Sequence, residues 1–166
     1  MIAACLKWVD DRPEIDRLTG EVVSDPRSSG PSDADLAALE WALRLRDARG
    51  GEPVVAVTVG PPAAEAMLRD AVAAGAARCV RVDLPIGSPS ATVAAAIADV
   101  ARDPALSFVV CGAYSIDRGS GSVPAFVAAH LGIAQALGCV TLTIGDDGAV
   151  GGDRRLDGGR REVVRT

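Results

Sequence analysis

The stretch Gly112-Ala113-Tyr114-Ser115-Ile116-Asp117-Arg118-Gly119-Ser120-Gly121-Ser122-Val123-Pro124 holds the densest set of groups that could grip a ligand. Glycines let the backbone approach a bound molecule closely. Ser115, Ser120 and Ser122 offer hydroxyl donors, and Arg118 offers a full positive charge. A helix start placed near Ser122 or Pro124 adds unpaired N–H groups and a partial positive charge. Such a loop suits one phosphate group. Helix-end electrostatics contribute about 1–2 kcal/mol at most, so several aligned donors must act together. The other reading of these residues is a Gly/Ser loop that only turns the chain into a helix. Its place between an apolar run and a helix start favours the anion. It is not a P-loop, because no Gly-Lys-Ser/Thr follows, and it lacks GxGxxG.

Other candidates for chemistry are weaker. His130 is the only histidine and falls within a helical pattern. Asp10-Asp11 is a carboxylate pair, but adjacent residues need not converge, and a solvated loop accounts for it. Arg154-Arg155 and Arg160-Arg161 are balanced by nearby acids, as in a solvated hairpin. Cys5, Cys79, Cys111 and Cys139 contain no CxxC pair, so no zinc site and no disulfide framework is expected. Each lies in or beside an apolar run and reads as a reduced, buried small hydrophobe. No Ser/His/Asp or Cys/His arrangement suggests nucleophilic catalysis. These residues describe a holder, not an enzyme.

Composition narrows the partners. Aromatic residues make up 3% of the 166 and the net charge is −5. Single-stranded nucleic-acid binders need stacking rings and a basic groove, so nucleic acid is excluded as a first expectation. Hydrophobic residues reach 49%, which argues for a packed core built from Ala, Val, Leu and Ile. No apolar run approaches the roughly 20 residues that span a bilayer, and the start has no signal-peptide pattern. The expected location is the cytoplasm.

Short apolar runs alternate with helical patterns, which predicts a three-layer α/β/α Rossmann-like fold with about five parallel core strands in one domain, 1–166. The strands are expected at 2–7, 54–59, 79–83, 108–112 and 140–144. Helices are expected at about 33–49, 62–74, 90–102 and from 122 or 124 to 137. Ser32 caps the first, Leu36, Leu39 and Leu43 form its buried stripe, and Gly50-Gly51 ends it. Glu65 and Arg69 make an i,i+4 pair on the second. Residues 8–31 read as a long loop or small hairpin, and 145–166 as a polar, hairpin-like tail. In an open parallel sheet, ligands bind beyond the carboxyl ends of the strands, where strand order reverses. The loop at 112–124 follows such an end.

Several segments resemble the β subunits of electron-transfer flavoproteins. Ala4-Cys5-Leu6-Lys7-Trp8-Val9-Asp10 is similar to their first strand, V-K-x-V-x-D. Ala38-Leu39-Glu40-Trp41-Ala42-Leu43-Arg44-Leu45 resembles their A-x-E-x-A-x-R-L helix. Val55-Ala56-Val57-Thr58-Val59-Gly60-Pro61 resembles the V-x-A-V-S-x-G-P turn, and Leu68-Arg69-Asp70-Ala71-Val72-Ala73-Ala74-Gly75-Ala76 the L-R-x-A-L-A-M-G-A helix end. Residues 112–135 follow the nucleotide loop and its helix without a gap, and Asp157-Gly158-Gly159 matches a D-G-G.

The resemblance implies a heterodimer with an FAD-binding α subunit that passes electrons from flavin dehydrogenases to an acceptor. It implies that the chain holds a nucleotide, either AMP or FAD. It places Cys5 near the adenosine, and Ser32, Asp33, Ala34, Asp35, Val59 and Gly112 to Val123 around the nucleotide. That last span includes Ser115, Asp117, Arg118, Gly119, Ser120, Gly121 and Ser122. The family's acidic I-D-x-D run is replaced here by Ile116-Asp117-Arg118, and its Asn-Pro before the first helix by Ser32-Asp33. The loop resembles a divergent, actinobacterial-looking branch associated with mycofactocin redox systems. Arg118 favours a diphosphate ligand by offsetting its charge. Family members continue past the D-G-G into a dehydrogenase-docking segment, so the chain reads as a shortened form or a truncation. Val163-Val164 would then leave an open edge. A universal-stress-type regulatory domain shares the architecture, but its G-x-x-G loop with a spaced G-S/T is not matched near Gly112. A remnant that only supports assembly is a third reading.

Overall fold

The computed structural model describes residues 1–23, 25–145 and 148–165. The chain begins with β1 (Ile2–Cys5) and enters the excursion β2 (Trp8–Asp10), β3 (Glu14–Ile15), β4 (Val22–Val23) and β5 (Ser29–Pro31). It continues through α1 (Asp33–Ala48), β6 (Val54–Val59), α2 (Glu65–Ala73), β7 (Arg78–Val82), α3 (Ser90–Ala101), β8 (Phe108–Cys111) and α4 (Val123–Leu131). Last come β9 (Cys139–Ile144), β10 (Val150–Arg155) and β11 (Arg161–Arg165).

The central sheet is parallel, in the order β7-β6-β1-β8. All four residues of β1 and the first five of β6 are buried, as strands covered on both faces must be. Alternate side chains divide between two cores. Ile2, Ala4, Val54 and Ala56 pack under α1 and α2, with Leu39, Leu43, Met67 and Leu68. Ala3, Cys5, Val55 and Val57 face α3 and α4, with Ile97 and Val127. The three-layer α/β/α arrangement is the one expected.

The expected fifth core strand is a correction. β9 pairs antiparallel with β10, which pairs with β11, in a separate three-stranded sheet. Thr141 and Thr143 interrupt the apolar run of β9, and several of its residues are exposed, so it cannot be covered on both faces. Gly151 and Gly152 of β10 make room for it. A Cβ on them would come within 2.7 Å of Thr143 Oγ1 and 2.8 Å of Cys139 Sγ.

Four smaller expectations also change. Leu36 is 48% exposed, because the buried stripe of α1 runs through Asp35, Ala38, Leu39, Ala42 and Leu43, one position round the helix. Cys79 is exposed, since β7 is an edge strand, and only Cys5 of the four free cysteines is buried. Before α2, residues Pro62–Ala64 form a 3-10 turn. α4 stops at Gly132, left-handed at φ 67°, and not at Gly138. The long excursion is two antiparallel pairs, β2 with β5 and β3 with β4. The tail hairpin β10–β11 carries the ion pairs Arg154–Glu162 and Arg161–Asp153. Asp146 and Asp147 of that tail, Ser24 of the excursion and the final Thr166 lie outside the described residues.

Candidate functional site

From β1 the chain moves to β6 and then β7 on one side, and returns to β8 on the other. The order therefore reverses between β1 and β8. Connections leaving those two carboxyl ends diverge, and a crevice opens between them. Its floor is Cys5, Lys7, Cys111 and Gly112, and one wall is the loop from Tyr114 to Pro124. Val59, Gly60 and Pro61 enter from the end of β6, and Pro85 to Ser88 from the end of β7.

Of the residues expected at the site, Cys5, Asp35, Val59, Gly112, Ser115, Asp117, Arg118, Ser120, Gly121, Ser122 and Val123 line this crevice together. Ser32, Asp33, Ala34 and Gly119 do not line it. Ser32 has a supporting task instead. Its hydroxyl donates to Asp35 Oδ2 at 2.8 Å and accepts from the Asp35 N–H at 3.2 Å, a capping box with aspartate in the glutamate position. Gly119 sits at φ 62° in the turn behind Tyr114.

Asp35 is the residue that joins α1 to the floor. Oδ2 also accepts from the Lys7 N–H at 3.2 Å. Oδ1 lies 2.5 Å from where a Cβ on Gly112 would stand, so only glycine fits there. Burial pushes the Asp35 carboxyl above its ordinary value, against the opposing pull of Ser32 and the Lys7 N–H.

Lys7, the only lysine, leaves β1 at its carboxyl end and joins the site without any local motif that marks it as a ligand-binding residue. Its ammonium donates to Ser115 Oγ at 3.1 Å and to both Asp117 oxygens at 2.5 and 2.6 Å. Burial pushes the Asp117 carboxyl up, but Lys7 and Ser115 outweigh it and hold the group below the usual carboxylate range. Arg118 reaches across the crevice and donates through Nη2 to the Gly87 carbonyl. A guanidinium has five N–H donors, so others stay available. Trp8, Ile86 and Tyr114 also line the crevice as an apolar lip. Nothing in the local spacing of Ile86 signalled this, because it is brought in by the β7–α3 connection.

The far end of the loop is shaped for close approach. Gly121 has φ 55°, and a Cβ there would meet the Ala113 carbonyl at 2.7 Å. Ser120 and Ser122 place their hydroxyl oxygens 3.2 Å apart at the start of α4. Pro124 occupies the first turn of α4, where a missing N–H costs nothing. One crevice thus combines an ammonium, a guanidinium, three hydroxyls and a helix start with an apolar lip and a buried carboxylate. It can take a phosphorylated molecule with a flat, partly apolar remainder.

His130 is exposed near the end of α4, away from the crevice lining. Among the described residues, no group of three or more His, Cys, Asp or Glu could hold a metal ion. No described helix is long and apolar enough to cross a membrane.

A family model described as the electron transfer flavoprotein domain matches residues 21–166. Subunit CarD of the caffeyl-CoA reductase-Etf complex of Acetobacterium woodii is 35% identical over 140 residues, covering 78% of this chain and 52% of its own length. Protein FixA of Azorhizobium caulinodans is 35% identical over 143 residues, 81% of this chain and 50% of its own. Electron transfer flavoprotein subunit beta of Clostridium acetobutylicum is 35% identical over 142 residues, 81% of this chain and 53% of its own. The chain spans about half the length of these curated relatives.

Proposed function

This chain belongs to the electron transfer flavoprotein family, on its β-subunit side, and from that membership we propose that the crevice between β1 and β8 holds an adenine nucleotide. The nucleotide is AMP or the adenylate part of FAD. In this reading the chain pairs in the cytoplasm with an FAD-binding α subunit and passes electrons from a flavin dehydrogenase, with no catalysis of its own. The observation that carries it is the convergence of Lys7, Asp35, Gly112 and the 115–123 loop on the switch point of the parallel sheet.

Each residue has a task in this reading. Ser115, Ser120, Ser122 and the first-turn N–H groups of α4 donate to phosphate oxygens. Lys7 shifts from Asp117 toward the phosphate, and Ser115 moves with it. Arg118 supplies a second cation, which favours a diphosphate over a monophosphate. Asp35, an acceptor on the opposite side, takes a hydrogen bond from a ribose hydroxyl or the base amino group. Trp8, Ile86 and Tyr114 cover the base and exclude water. Flavin, when bound, supplies the one- and two-electron redox chemistry that adenylate lacks.

The test is to purify the chain alone and with a candidate α subunit, denature each sample, and identify the released nucleotide by chromatography. AMP or FAD released from the chain, with flavin absorbance stronger in the pair, is the expected result. Tight ATP in a homodimer without any flavin-dependent partner would sink the reading and restore the universal-stress alternative.

A further inference from the structure

We propose that Cys5 and Cys111 are a disulfide-forming pair, a thiol modification site in the floor of the crevice. They are register partners on adjacent parallel strands, each the last residue of its strand. Paired strands lie about 4.7–4.9 Å apart, within the roughly 4.4–6.8 Å Cα separation that a disulfide bridges. Register partners project to the same face, and here both join the cluster packed under α3 and α4. Beside it in register, the Cys111 thiol is the first cause, ahead of burial, that raises the Cys5 thiol well above its ordinary value. The remaining cysteines have no such neighbour in register. Cys79 is paired with Ala56 on β6, and Cys139 with Arg154 on β10.

The order of events follows from exposure. Both line the crevice floor, but Cys5 is buried and held as the thiol, whereas Cys111 is partly exposed. An incoming disulfide reaches the more exposed sulfur, so Cys111 reacts first. Its co-reactant is a low-molecular-weight disulfide, RSSR. Cys111 loses its proton and attacks one sulfur of RSSR; a Cys111–SR bond forms, the S–S bond of RSSR breaks, and one RSH leaves. Cys5 then attacks Cys111 Sγ, its proton passing to the departing RS⁻. The Cys5–Cys111 bond forms as the Cys111–SR bond breaks. Two protein thiols are oxidised and one RSSR is reduced to two RSH, and excess thiol reverses the exchange.

Gly112, which opens the ligand loop, follows Cys111 directly, and Lys7 is two residues beyond Cys5. A bridge here would act on both sides of the crevice floor. Its influence on a nucleotide rests on the function proposed above, because a ligand over the floor shields Cys111 and slows the exchange.

The full chain is incubated natively with oxidised glutathione, alkylated, digested without reduction and mapped by mass spectrometry. A peptide pair joining Cys5 to Cys111, absent after dithiothreitol and still formed in a Cys79→Ser/Cys139→Ser variant, is the expected result. Cys5→Ala should stop at the mixed disulfide on Cys111. Residues 5 and 111 both remaining alkylatable in denaturant, or bridging only Cys79, Cys139 or a second chain, would overturn the proposal. A second arm repeats the exchange with saturating AMP. Bridging slowed severalfold supports shielding. An unchanged rate overturns the shielding and counts against the nucleotide site, while the bridge itself stands.

Discussion

Lys7 and Asp35 lie two ends of one short backbone contact apart, and they have opposite electrostatic situations. The Lys7 ammonium is held by Ser115 and Asp117 on a partly exposed side chain, available to a competing anion. A hydrogen bond to a charged partner contributes about 1.5–3 kcal/mol, so Lys7→Met should weaken AMP binding by about ten- to a hundredfold. Titration calorimetry with AMP checks this; unchanged affinity would remove Lys7 from the site. Asp35 is the reverse case, since burial raises its carboxyl. A folded-state pKa above the unfolded one means the native state binds the proton more tightly. Stability from this group therefore falls as pH rises from the ordinary carboxylate value to the raised one, and then stays level. Asp35→Asn keeps an acceptor for Ser32 and the Lys7 N–H without burying a charge. It should melt higher than the parent at neutral pH and lose that acidic slope in thermal unfolding. A parent-like melting temperature at every pH would refute this account.

Elements hold these residues through two glycines, Gly112 and Gly121, each pressed against backbone atoms. A Cβ on Gly112 would stand 3.0 Å from both the Ala34 carbonyl carbon and the Asp35 nitrogen, besides 2.5 Å from Asp35 Oδ1. The first turn of α1 would have to move. Gly112→Ala should cost about 1–3 kcal/mol, the usual penalty of overpacking, and weaken nucleotide retention with it. Gly60→Ala is the contrast, because its Cβ would find only ordinary contacts at 3.9 and 4.0 Å. Chemical denaturation of both variants should separate them clearly. Gly121→Val forces a β-branched side chain into a left-handed position against the Ala113 carbonyl. Nucleotide retention should be lost while helical circular dichroism persists; retention at the parent level would take the loop out of the site.

At the scale of the whole molecule, stability rests on two aliphatic cores back to back across β1 and β6. Ile2 is fully buried at the start of the central strand, so Ile2→Ala should cost about 2–5 kcal/mol. Val163 on the edge strand β11 is 68% exposed, and Val163→Ala should stay within about 0.5 kcal/mol. Urea unfolding followed by circular dichroism measures both. Comparable losses would mean that the β9–β10–β11 sheet shares the cooperative core.

Much of this was written locally. Runs such as Val54–Val59 are apolar on both faces and can only be covered strands, and Ser32 with Asp35 marks a helix start by spacing alone. The Gly/Ser loop after β8 pointed to the anion site proposed here, because glycine, hydroxyl and helix-start chemistry are all short-range. Motifs spread along the chain were also enough to name its family. Tertiary structure decided what depends on meeting across the sheet. Lys7 and Asp117 are 110 residues apart and met only because β1 and β8 are neighbours. Arg118 found the Gly87 carbonyl through a connection from the opposite side of the sheet. The register that sets Cys5 beside Cys111, and the pairing of β9 with the glycines of β10, follow from strand order, and strand order is a property of the packed molecule.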